Sequence, residues 1–349
     1  MSDCISKKIN FFKWILTLGI VLYHSKWIGN TNVVFSSFWD RKLFYAYEKF
    51  ANHIGFVCMV FFFFISGFFL YNNVNCLKDI FIKMKKRIKT LLIPFILWNF
   101  IIVLYNCIIG SVSLSFYNIC DFFFFKPLAG PLWYLLALLL LMIISPIFTF
   151  FKKHKIINTL LFAVVFSLSI LVIFNIIELP FNFIRWWWGG NIIYYLPVYL
   201  IGSYIGLYYP KLILNNSYTA KKYYIIGFIL VLFSIFLWLA FDLHSNYFIY
   251  SIIELIGFWF LLPPNLFESK VPSYYACSFY IYALHNPVFI PIVYNNLLPI
   301  LKKMEINGIE IVFIKIIILL LVVIFSYITY LLAQKIFSKK VCTYLTGGR

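Results

Sequence analysis

The stretch KWILTLGIVLYH, residues 13–24, carries two side chains with chemistry in them: a lysine at its start and a histidine eleven residues later. At about 3.6 residues per turn that spacing closes about three helical turns, so Lys13, Thr17 and His24 share one stripe. A rise of about 1.5 Å per residue puts the two ionisable groups roughly 16 Å apart, about half the hydrocarbon thickness of a bilayer. Imidazole has an unperturbed pKa of about 6.5, and low-dielectric surroundings favour its neutral, proton-accepting form. Such a ring can take the proton of an attacking group, or act as a nucleophile itself. Both routes stay open. A lysine can meet a phosphate, and it can equally snorkel to the membrane interface with no ligand at all.

The elements that position these residues follow from composition. Of 349 residues, 64% are hydrophobic, 22% aromatic and 11% charged. A soluble domain would be nearer a quarter charged, and the apolar excess here falls in runs long enough to face lipid. Ten segments have that character: 11–28, 54–72, 91–110, 131–151, 156–177, 191–209, 223–241, 247–266, 275–299 and 310–335. The expected fold is therefore all-α, a polytopic integral membrane protein of about ten transmembrane helices in one domain spanning 1–349. The opening apolar run meets no small-residue cleavage site and reads as a retained first helix. Lys and Arg concentrate in the segments that a cytoplasmic amino terminus places inside, so both termini are expected in the cytoplasm. The net charge of +18 is spent on these short connecting segments, which argues against a nucleic-acid partner. Seven cysteines, at 4, 58, 76, 107, 120, 277 and 342, lack disulfide or metal-ligand spacing. No metal site is indicated.

Several separated stretches, taken in order, resemble one family. They are KWILTLGIVLYH, VFFFFISGFFL at 60–70, the basic KMKKRIKTLLIPFILW at 83–98, GPLWYLLALLLLMIISP at 130–146 and CSFYIYALHNPVF at 277–289. Together they resemble the membrane-bound acyltransferase 3 family, O-acetyltransferase-like integral membrane proteins acting on cell-envelope glycans and related molecules. The resemblance implies transfer of an acetyl or short acyl group from cytoplasmic acyl-CoA to a hydroxyl. The acceptor would be a sugar of a surface or exopolysaccharide or a related molecule. The setting would be a bacterial plasma membrane, with acyl-CoA as donor substrate and no bound cofactor.

The resemblance makes His24 the catalytic residue. The family's first-helix motif is an arginine, ten residues and a histidine; Lys13 replaces the arginine, keeping the charge and losing the bidentate fork. Arg87 matches the first of a basic pair before the third helix, and Thr90 stands where the second arginine is often found. Lys13 and Arg87 are thus the expected acyl-CoA-binding residues, with Lys83, Lys85, Lys86 and Lys89 read mainly as topology signals. The interval from Lys13 to His24 is comparable to a pantetheine arm, so one stripe of the first helix would grip the donor at its charged end and use it at the thioester.

Candidate substrate-lining residues are Ser66, Trp133, Tyr134, Arg185 (followed by Trp186, Trp187 and Trp188) and His285. Each has a plainer reading: close helix packing beside Gly67, an interfacial aromatic belt, or a helix break at Pro287 whose freed backbone groups Asn286 satisfies. His53, His154 and His244 are read as loop or span-end residues, and Glu178 or Glu254 is available to orient His24. Two other functions fit ten spans with few charges: a transporter or flippase of a lipid-linked sugar, and a non-catalytic member of the same fold. No internal repeat supports the transporter. Oligomeric state is left open.

Overall fold

The computed structural model describes residues 3–25, 33–110, 115–125, 128, 130–174, 176–177, 190–215, 221–240, 247–267, 272–301 and 306–346. The described residues are helical apart from turns and one isolated bridge between Val33 and Ile306. The main helices are α1 (Asp3–Ser25), α2 (Phe38–Tyr71), α3 (Leu77–Ile108), α4 (Trp133–Ile143), α5 (Ser145–Phe150), α6 (Lys155–Ile173), α7 (Gly190–Tyr208), α8 (Lys221–Ala240), α9 (Tyr247–Leu261), α10 (Ser278–Leu284), α11 (Ile290–Leu301), α12 (Gly308–Ile336) and α13 (Lys339–Leu345).

Among the described residues, six helical stretches are long and apolar enough to cross a membrane: α2, α3, α6, α8, residues Ser273–Leu297 and α12. Gly130–Ile143 with Ser145–Lys153, bent by 41° at the break before Pro146, makes a seventh if counted as one span. The segments 191–209 and 247–266 fall on the shorter apolar helices, Ile192–Tyr208 and Tyr250–Leu261. The segment 11–28 falls on α1, where Lys13 and His24 dilute the apolar run. Only 17% of the apolar window of α6 and 11% of that of α8 is buried within the protein. Exposed Ile225, Phe228, Leu232 and Phe236 on α8 form a surface that water would not tolerate and lipid tails would cover. The protein is an all-helical integral membrane protein.

The chain divides into two compact units, with boundaries inside α1, α2 and α3. The first comprises residues 1–10, 59–95 and 133–271. Its centre is a glycine seam between α2 and α7: a Cβ on Gly67 would lie 2.3 Å from the Tyr199 carbonyl oxygen, and one on Gly202 would lie 2.1 Å from that of Phe64. Only residues without a Cβ let two backbones come this close. Lys83 reaches back from α3 to the Asn72 carbonyl at the end of α2, satisfying a group the helix leaves open.

The second unit comprises residues 11–58, 96–132 and 272–349. Asp40, 1% exposed, ties α2 to α12: its carboxylate accepts the Ile309 backbone N–H at 2.7 Å and that of Ser36 at 3.0 Å. Asn307 and Glu310 close a reciprocal capping box on the same helix start. Deeper along α12, the Lys315 ammonium bonds Glu48 of α2 and lies over the Phe44 and Tyr47 rings at 5.0 and 5.6 Å.

Two expectations change here. The basic stretch 83–89 is part of α3 and not of a loop, because the helix begins at Leu77 and runs unbroken through Pro94. His53, expected in a loop or at a span end, is buried well inside α2, which starts at Phe38 and at 34 residues outruns the apolar segment 54–72.

Candidate active site

In the second unit, two segments lie side by side: α1 from Phe11 to Ser25, and residues 273–289. Near its start α1 lays Trp14 against Tyr275 (5.9 Å, 24° between planes) and Tyr274 (5.0 Å). Near its end it sets His24 against His285, ring centroids 5.0 Å apart. Contacts advance together along both segments, so they run in the same direction. Thr17 turns its hydroxyl onto the Lys13 carbonyl at 2.7 Å and stays buried, leaving Lys13 and His24, each half-buried, as the ionisable groups of that stripe.

The sequence around His285 explains its posture. α10 gives way at His285–Phe289 to a π-turn, in which the N–H of residue 287 would meet the carbonyl of residue 282. Residue 287 is proline and has no N–H. The His285 ring takes over: Nδ1 lies 2.8 Å from the Tyr282 oxygen and 3.2 Å from that of Ile281. The expectation that Asn286 would satisfy these groups gives way to the neighbouring histidine. Carbonyl oxygens only accept, so Nδ1 carries the proton and donates, which leaves Nε2 as a lone pair. That nitrogen is buried and has no hydrogen-bond partner. An unmet buried acceptor costs about 1–3 kcal/mol, which makes the site one of stored polarity. The Gly130–Leu132 turn backs it: the Tyr282 hydroxyl donates to the Pro131 carbonyl, and Asn286 Nδ2 lies 3.4 Å from where a Cβ on Gly130 would be. The Gly130–Leu132 turn and the ALHNP motif are thus one piece of structure.

In the first unit, Arg87 shares a small pocket with Ser66, Leu70, Leu91, Leu138, Met142 and Tyr199. The Tyr134 hydroxyl donates to the Phe62 carbonyl at 2.9 Å, so the Ser66 hydroxyl, 2.8 Å away, donates to it in turn. Trp133 packs on Tyr195 (6.2 Å, 28°), which is stacked on Phe63 (4.9 Å, 3°). Trp133 and Tyr134, both half-buried, therefore belong to an aromatic cluster with Tyr195 and Phe63. Gly67 has the close-packing role expected of it.

Arg185, Trp186, Trp187, Trp188, Glu178 and His244 lie outside the described residues. Glu254 is in the first unit, 5% exposed, accepting the Ser234 hydroxyl at 3.2 Å. Rings of Tyr23 and His285 lie beside His24, each with its centroid 5.0 Å away. Residues not singled out from sequence include the Lys315–Glu48 pair and Lys8, which is fully buried, donates to the Trp259 carbonyl at 2.6 Å and sits 3.8 Å over its ring. For Lys315 the available signal was a lysine inside an apolar run, since such residues do not lie idle in membranes. Among the described residues no group of histidines, cysteines and carboxylates is placed to hold a metal ion.

Searches of curated proteins and of solved structures found no match. A family model described as an acyltransferase domain, that of acyltransferase 3, matches residues 6–340, which takes in α1, the π-turn at His285 and nearly everything between and beyond. With that coverage, the chain belongs to the acyltransferase 3 family of membrane acyltransferases.

Proposed function

We propose that this membrane acyltransferase moves an acetyl or short acyl group from acyl-CoA to a hydroxyl of a cell-envelope or exopolysaccharide sugar or a related acceptor. The observation that carries the reading is the half-exposed His24 at the end of the Lys13 stripe, set against a second, fully buried imidazole. His24 takes the proton of the attacking hydroxyl as its oxygen bonds to the thioester carbon. The tetrahedral intermediate then expels the CoA sulfur, to which His24 returns the proton. In the two-step variant His24 carries the acyl group between donor and acceptor. Lys13 and Arg87 meet donor phosphates. Lysine does so as a point charge and arginine through its fork. The roughly 16 Å from Lys13 to His24, about eleven rises of 1.5 Å, suits the pantetheine arm. In this reading the ten apolar segments span a bacterial plasma membrane and both termini are cytoplasmic.

The test is donor binding. CoA added to the purified protein in nanodiscs should raise its melting temperature, and Lys13→Ala or Arg87→Ala should shrink that rise without lowering the unliganded melting temperature. Absence of any CoA effect on the wild type would contradict the reading.

A further inference from the structure

We propose that His285 is a positioning residue for His24: its Nε2 accepts the N–H of the His24 ring, so that His24 presents its other nitrogen, as a lone pair, to the acceptor hydroxyl. This rests on the acyl-transfer reading of His24 and adds how that ring is held. Burial divides the labour. His285 is 0% exposed and His24 is half-exposed, so substrate meets His24 and His285 acts through it. Tautomer logic sets the direction. With Nδ1–H committed to the Tyr282 and Ile281 carbonyls, His285 can only accept at Nε2, and that nitrogen has no partner in the structure. Distance permits the bond. Ring centroids 5.0 Å apart are close to what two imidazoles joined by an N–H···N bond of about 2.9 Å require. A swing of the half-exposed His24 ring closes it, and such bonds are commonly loose until substrate is present. The surroundings hold His285 still: Pro287 fixes the turn, and Tyr282 is anchored on Pro131.

The consequence for proton balance is direct. The hydroxyl proton arrives on the second nitrogen of His24, which becomes an imidazolium. Its bond to His285 becomes charge-assisted, and His285 stays neutral because both its nitrogens are engaged. The proton leaves on the CoA sulfur. A neutral imidazole does here what a carboxylate does in many acid–base dyads.

The experiment is nitrogen NMR of the full chain in nanodiscs with 15N-histidine. The chain has five histidines, so His24→Gln and His285→Gln supply the assignments. His285 should appear as the neutral Nδ1–H tautomer. His24 should show one tautomer in the wild type, a mixture in His285→Phe, and the wild-type tautomer again in His285→Gln, whose amide oxygen accepts the same N–H. An Nε2–H tautomer at His285, or a His24 pattern untouched by His285→Phe, overturns the proposal. Beside it, CoA release from acetyl-CoA should show His285→Phe losing about 100-fold in kcat with KM held within about twofold, and His285→Gln recovering most of the loss. Equal losses in both variants, or none in a folded His285→Phe, overturn it too. If the wild type releases no CoA, the acyl-transfer reading is what fails, and the NMR still decides the pairing.

Discussion

Breaking the Lys315–Glu48 pair should cost very different amounts depending on which partner is removed. The Lys315 side chain is 0% exposed and that of Glu48 is 17% exposed. Glu48→Leu takes the carboxylate away from a fully buried ammonium that lies over the Phe44 and Tyr47 rings. Removing one partner of a buried ion pair in this way costs about 3–5 kcal/mol, from which the ring faces return about 1 kcal/mol. Lys315→Met leaves a carboxylate that reaches solvent, so the loss should be nearer 1–2 kcal/mol, on the scale of an unmet polar group. The double variant removes both charges and fills their place with apolar volume, which for buried ion pairs is often about neutral, so it should lie within about 1 kcal/mol of wild type. The assay is equilibrium unfolding in mixed detergent of wild type, both single variants and the double variant, read as a double-mutant cycle. A Glu48→Leu loss no larger than that of Lys315→Met, or losses that simply add in the double variant, would refute the reasoning.

Three further outcomes follow from the same geometry. Arg87→Gln keeps a polar side chain but loses the charge-assisted fork, so KM for acetyl-CoA should rise about 10–100-fold with kcat little changed, measured by CoA release. Gly202→Val puts a branched side chain where a Cβ is already 2.1 Å from the Phe64 carbonyl, so α2 and α7 must part; the melting temperature should fall by more than 5 °C, as in a marked core defect, and by much less for Ser203→Ala beside it. Asn307→Ala removes the cap of α12 and should cost about 1 kcal/mol, visible as faster amide exchange confined to the first turn of that helix.

Local patterns were readable in the sequence where one element carries its own signal. Periodicity placed Lys13, Thr17 and His24 on one face, and α1 presents them so. Apolar runs marked where helices lie, but α2 and α3 begin at Phe38 and Leu77, well before the apolar segments 54–72 and 91–110. What could not be read is pairing between distant segments. Nothing local to HSKW or to ALHNP says that His24 and His285 meet, because that contact depends on α1 and residues 273–289 running side by side through Trp14 and Tyr275. The helical start of α2 was hidden for a related reason. Residues 38–53 are too polar for lipid, yet Asp40 is consumed by the α12 start and Glu48 by Lys315, and it is those distant partners that let the helix extend. The partners of Trp133 and Tyr134 were equally invisible, since nothing beside Gly130 and Pro131 names Tyr195, Phe63 or the Phe62 carbonyl.

The most direct test of the central claim is acetyl-CoA turnover by the purified protein in nanodiscs, wild type beside His24→Ala, with melting temperatures recorded for both. The account predicts CoA release by the wild type and a loss of at least about 100-fold in a His24→Ala protein that melts within a few degrees of it. A folded His24→Ala variant that releases CoA at the wild-type rate would contradict it.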